Sequence, residues 1–246
     1  MEEAQQAQVR KPSSRLSRTL TRLVVWKITP LFASWITSPS NVLFKHSILH
    51  SDATVLELGC GISGIIGLAL GQRVKSYVLT DQQYVMKLLS ENLIENHQLA
   101  PSSSAKGRKS TAKTKRAAPT SNSSQKVSNV TAKVLDWEVD EVTSSLVGVE
   151  GMSSFDVVIA CDCIYNDALI DPLVQTCEDA CRLRSPSEGE RPTVCVVAQQ
   201  LRSAEVFESW LQAFHKVFHV YRLPDETLLD GLKSDSGFVI HIGILR

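Results

Sequence analysis

The chain has 246 residues, 43% of them hydrophobic, with 26 basic and 26 acidic residues and a formal net charge of zero at pH 7. That length suits one substantial folded domain, and the charge balance gives no global support to nucleic-acid or anionic-membrane binding, so only a local patch could argue for either. No apolar run approaches the ~20 residues that span a bilayer, which sets aside membrane insertion by a helix.

The six cysteines fall mostly in or beside predicted strands or on one helix, without the dense loop placement of a secreted disulfide scaffold. Reduced core thiols and a cytoplasmic setting are expected, with the nucleus as the alternative. Cys161/Cys163 and Cys177/Cys181 lack the partner pair that a structural zinc site needs, so no metal is expected.

Residues 1–22 read as a polar lead-in expected to be disordered. From Leu23 to Leu49 apolar residues recur at three- and four-residue steps through Val24, Val25, Ile28, Leu31, Phe32, Trp35 and Ile36. Pro30 is expected to interrupt this helical pattern, leaving two short helices or a helix and an extended piece. A regular alternation follows. Strands are predicted at 54–58, 76–80, 129–135, 155–160, 193–199, 217–223 and 238–245, and helices at 63–70, 82–99, 167–183 and 203–216. The apolar run from Phe155 to Ala160 implies burial on both faces, and Pro172 is tolerable in the first turn of its helix.

Strands separated by helices specify a parallel, doubly wound sheet. The last two strands lack an intervening helix, which favours an antiparallel final strand. The expected fold class is therefore α/β: a Rossmann-like seven-strand sheet with helices on both faces and an antiparallel last strand, over residues 23–246. Between Pro101 and Lys126 the composition shifts to Ser, Thr, Ala and Pro with interspersed Lys and Arg and no acids or aromatics. Residues 101–127 are expected to form a disordered basic insertion, open between a solvated loop extension, a nuclear-import signal and an RNA-contacting arm.

The run from Val55 to Gly64 is an apolar strand, a glycine-rich turn and a helix start, in which Gly59, Gly61 and Gly64 complete GxGxxG. Glycines let the backbone turn tightly and approach a ligand, while the next helix directs free N–H groups toward it. Asp81 follows at the distance from which an acid accepts hydrogen bonds from ribose hydroxyls. The motif alone leaves NAD and S-adenosylmethionine both open. Glu57, two residues before the first glycine, is placed to organise the loop near a methionyl ammonium, or to sit as an edge carboxylate paired with a base. A single nucleotide-binding half and the terminal hairpin favour S-adenosylmethionine.

Trp26, ELGCG at 57–61, Asp81, LDW at 135–137 and DCIY at 162–165, in this order, resemble the seven-β-strand protein methyltransferases of family 16, which mostly methylate lysine. VLELGCGISGIIGLAL, VLTDQQYVMKLL and VVWKITPLFASWI are most similar to the fungal ribosomal lysine methyltransferase 5 group. The resemblance covers roughly residues 23–246 apart from the basic insertion, and it departs in having only a short polar lead-in ahead of Trp26.

The resemblance implies that Trp26, Gly59, Cys60 and Gly61 contact S-adenosyl-L-methionine. It also implies that Asp81 holds the ribose, Trp137 packs beside the adenine, and Cys161 lines the pocket. Asp136 is open between bonding the adenine amino group and capping a turn. Asp162 and Tyr165 match a D/E-x-x-Y motif beside the target lysine. Asp162 would orient the substrate ammonium or the cofactor amine, with capping of the next helix as its structural alternative, and Tyr165 would wall the lysine channel.

The implied activity is methylation of a lysine on a ribosomal protein of the large subunit by a monomer that needs no membrane. Two other readings stay open on the residues: an NAD-dependent oxidoreductase, and a non-catalytic ribosome- or RNA-binding module contacting RNA through the 101–126 segment.

Overall fold

The computed structural model describes residues 26–99, 129–184 and 191–246. The expected lead-in and basic insertion lie outside these, as do Val24 and Val25. The described residues form a seven-stranded sheet in the order β3-β2-β1-β4-β5-β7-β6. Its strands are β1 (Thr54–Leu58), β2 (Ser76–Asp81), β3 (Val130–Val134), β4 (Val157–Cys161), β5 (Val194–Gln200), β6 (Phe218–Arg222) and β7 (Phe238–Leu245). The first five are parallel, and β7 runs antiparallel between β5 and β6. The fold class and the antiparallel last strand are thus as the sequence predicts.

Alternation along β1 explains the layering. Val55 and Glu57 face one side and Leu56 and Leu58 the other, and all are buried. The first side packs on helices α1 (Ile28–Ile36), α3 (Ile65–Leu70) and α4 (Met86–Leu99), through Phe32, Trp35, Leu70 and Leu89. The second packs on α5 (Ile170–Arg182) and α6 (Ala204–Val217), through Leu173, Val174, Trp210 and Phe214. Strand order reverses between β1 and β4, so the connections leave in opposite directions there and open a crevice at the carboxyl ends of the strands.

One expectation fails at Pro30. It does not interrupt the helix but sits within the first turn of α1, where its missing N–H has no intrahelical partner to lose. The break falls later, at Thr37–Asn41. Thr37 Oγ1 donates back to the Ala33 carbonyl at 2.7 Å, and Asn41 caps the short α2 (Val42–Lys45) while its amide donates to the Trp35 carbonyl at 3.0 Å. Two helix starts also move inward. Gly64 stands at φ 55 ahead of Ile65, and Gln82–Val85 form a turn before α4.

Trp35 fixes α1 to the body of the protein. It is 2% exposed, and its Nε1 donates to the Thr227 carbonyl at 2.8 Å. Trp35→Phe keeps the apolar bulk and leaves that carbonyl without its donor, so urea denaturation should show a loss of about 1–2 kcal/mol at unchanged m-value.

Candidate functional site

Asp81, the last residue of β2, closes the glycine turn. Its Oδ2 accepts the Gly61 N–H at 2.9 Å and its Oδ1 the Gln82 N–H at 2.7 Å. Cys60 N donates to the Thr80 carbonyl at 3.0 Å, and Thr80 Oγ1 to the Glu57 carbonyl at 2.7 Å. The tips of β1 and β2 are thereby pinned together. Gly59 lies at φ 64, and a Cβ there would stand 2.9 Å from Cys163 Sγ and 3.0 Å from the Trp137 ring. Both the backbone conformation and the space require glycine.

Around this turn lies a concave pocket with mostly apolar walls, the usual character of small-molecule sites. It is lined by Glu57, Gly59, Cys60 and Gly61 from the end of β1, Asp81 and Gln82 from β2, and Asp136, Trp137 and Glu138 after β3. Cys161, Asp162, Cys163 and Tyr165 close it from β4, and Trp26 and Thr29 from the chain before and within α1. Every residue nominated from the sequence lines this one cavity.

Trp137 lies against Gly59, and its buried Nε1 has no hydrogen-bond partner. An unmatched buried donor is costly, and a ligand acceptor in the cavity would satisfy it. Asp136 acts within its own turn, accepting the Glu138 N–H at 3.2 Å, and also takes the Gln82 amide at 2.7 Å.

Glu57 needs a correction. It is no edge carboxylate beside a base, because β1 is central in the sheet and the partner is a phenol: Tyr77 Oη donates to Oε2 at 2.6 Å. Burial raises the Glu57 carboxyl from 4.5 to about 7, Asp81 adding to the rise and the Tyr77 bond opposing it. Burial likewise raises the thiols of Cys60, Cys161 and Cys163, holding them protonated and unreactive. All six cysteines are free and buried. Among the described residues no three His, Cys, Asp or Glu cluster as metal ligands.

At the β4 end, Asp162 does not cap the next helix. Asn166 caps the 3-10 turn Asp167–Leu169 that leads into α5, accepting the Ala168 N–H at 3.1 Å. The Asp162 carboxylate instead meets Arg202, which the sequence reading missed, along with Tyr77, Thr29 and Gln82. Tyr77 and Gln82 sit on or beside the predicted second strand, so facing arguments could have found them. Arg202 belongs to a polar run at the end of β5, without a motif.

A parallel sheet with a glycine turn, a carboxylate and an apolar-walled cavity at its switch point defines a Rossmann-like domain for a nucleotide-bearing cofactor. The chain belongs to the lysine methyltransferase family, whose sequence profile matches residues 18–110 and 114–212. It is 31% identical over 232 residues to ribosomal lysine N-methyltransferase 5 of Zygosaccharomyces rouxii, covering 86% of this chain and 69% of that one. It is also 30% identical over 204 residues to diaminohydroxyphosphoribosylamino-pyrimidine deaminase of Schizosaccharomyces pombe, covering 83% of this chain and 40% of that one. Among solved structures it is similar to an N-methyltransferase from Bradyrhizobium japonicum WM9 in complex with S-adenosyl-L-homocysteine, at 10% identity and a TM-score of 0.48 over 93% and 97% of the two chains.

Two outcomes follow from the geometry. Gly59→Ala should abolish cofactor binding in calorimetric titration and lower the melting temperature, since the turn and Trp137 cannot both keep their places. For Glu57 the folded chain holds its proton until about pH 7 while the unfolded chain releases it near 4.5. The native state therefore binds more protons in that window, and stability falls as pH rises through it, by roughly 3 kcal/mol in all. Glu57→Gln should remove the decline, so denaturation midpoints of the two proteins diverge in the variant's favour between about pH 5 and pH 8.

Proposed function

We propose that this lysine methyltransferase transfers the methyl group of S-adenosyl-L-methionine to a lysine of a ribosomal protein. One observation carries the reading: residues from five separate parts of the chain converge on one cavity, built around a glycine that has no room for a side chain. The ribosomal target is supported by the name of the Zygosaccharomyces rouxii relative. Family membership removes the ground for the dinucleotide-dependent oxidoreductase.

The residues divide the work along the cavity. The backbone of Gly59 to Gly61 lies beside the cofactor, and Glu57 stands below the turn. Asp81, at the end of β2 beside the turn, is the acceptor for the ribose hydroxyls, and Trp137 offers a flat face and a free donor to the adenine. Trp26 and Cys161 complete the walls toward β4. When bound, the sulfonium supplies an activated methyl group. The protein's part is to align a neutral amine in line with it, an effect of positioning that needs no metal and no covalent intermediate. Tyr165 walls the amine's approach. A lysine has an ordinary pKa near 10.4, so a largely dry channel also helps by disfavouring the ammonium.

The test is methyl incorporation from labelled S-adenosylmethionine into a ribosomal extract by the purified chain and by Asp81→Ala. One labelled protein band is expected. At sub-saturating cofactor the variant should be about ten- to a hundred-fold slower, as for loss of charged hydrogen bonds worth about 1.5–3 kcal/mol. Equal labelling by both would remove the assigned site, and cofactor binding without any labelling would favour a non-catalytic module.

A further inference from the structure

Arg202 stands just past β5. Its Nη1 donates to Asp162 Oδ1 at 2.8 Å and its Nη2 to Asp162 Oδ2 at 2.5 Å, with a further bond to Gln200 Oε1 at 3.0 Å. The Trp26 ring lies against the same guanidinium, 4.7 Å from Cζ to the centroid. The carboxylate so gripped has no exposed side-chain surface, and its Oδ1 also accepts the Gln200 N–H at 3.2 Å. The backbone of Asp162 is held at φ 60, where residues other than glycine are uncommon. Asp162 lines the cavity described above while Arg202 lines a neighbouring one, and Tyr165 belongs to both.

We propose that Arg202 is the positioning residue of the amine end: it neutralises Asp162 and holds the Trp26 ring against its guanidinium, so that an incoming lysine meets no free carboxylate charge at Asp162. This inference rests on the methyl-transfer reading above. In that reaction the amine lone pair forms the N–C bond as the C–S bond breaks, the bonding pair leaves on sulfur, and the methylated ammonium then loses its proton to water. An unpaired carboxylate beside the amine would hold it as the unreactive ammonium. A two-point guanidinium bond cancels that charge with fixed geometry, which lysine could not do.

Other titratable groups face the same cavity. Glu57, Asp81, Asp136 and Glu138 approach from β1, β2 and the chain after β3. The thiols of Cys60, Cys161 and Cys163 and the Tyr165 phenol complete the set. The variants below leave all of them in place, so a displaced pH profile reports the Asp162–Arg202 pair.

The experiment follows single-turnover methyl transfer from labelled S-adenosylmethionine to a salt-washed ribosomal protein fraction, at saturating full-length enzyme, between about pH 6 and about pH 10. Arg202→Gln should move the acidic limb upward by about one pH unit, because it frees a negative charge beside the amine. Asp162→Asn should move it downward, because it leaves the guanidinium unpaired. The double variant Asp162→Asn/Arg202→Gln should return the limb to the native position. A residue that only supports the fold would lower the rate without moving the limbs in opposite senses.

Limbs that stay in place, or that move the same way in both single variants, overturn the inference and leave methyl transfer intact. A native chain that binds no S-adenosylmethionine or labels nothing overturns the earlier reading and this one together. Should Arg202→Gln fail to fold, the downward displacement in Asp162→Asn and its reversal in the double variant decide the matter.

Discussion

The Asp81 carboxylate bridges two backbone amides, and most of the site depends on that bridge. A turn with glycines at φ 64 and 65 has little intrinsic preference for one shape, yet Gly61 N–H and Gln82 N–H are held by one rigid group at the end of β2. With the turn fixed, Gly59 presents bare backbone, and Trp137 and Cys163 can close on it. The crevice comes from the reversal of strand order between β1 and β4. Its shape comes from the carboxylate.

Three buried acids border the cavity, and the fold deals with each differently. Glu57 is left to a phenol hydroxyl and so favours its protonated form up to about neutrality. Asp81 remains bound to amides. Asp162 is matched by a guanidinium through both oxygens. A buried carboxylate without such a partner would cost several kcal/mol, and near the reacting amine it would also trap a proton. On the proposed methyl-transfer reading, the same devices that make burial affordable also set the electrostatics of the amine's approach.

Much of this was legible in the sequence, and the reasons are local. Unbroken apolar runs such as Val157–Ala160 mark strands covered on both faces, and GxGxxG with an acid at the end of the next strand marks the cofactor turn because both features lie in one strand–helix–strand unit. Pro30 misled because periodicity cannot tell the first turn of a helix from its interior. The partners of Glu57 and Asp162 were hidden for another reason. Tyr77 and Arg202 lie 20 and 40 residues away along the chain, and only the pairing of β1 with β2 and of β4 with β5 brings them alongside. Lone residues of that kind carry no motif.

The most direct measurement is a crystal structure of the chain with S-adenosylhomocysteine. The adenine is expected against Trp137, the ribose hydroxyls on Asp81, and the sulfur toward Asp162 and Tyr165, with Arg202 still bound to Asp162. A ligand lodged elsewhere, or one whose ribose leaves Asp81 untouched, would contradict it.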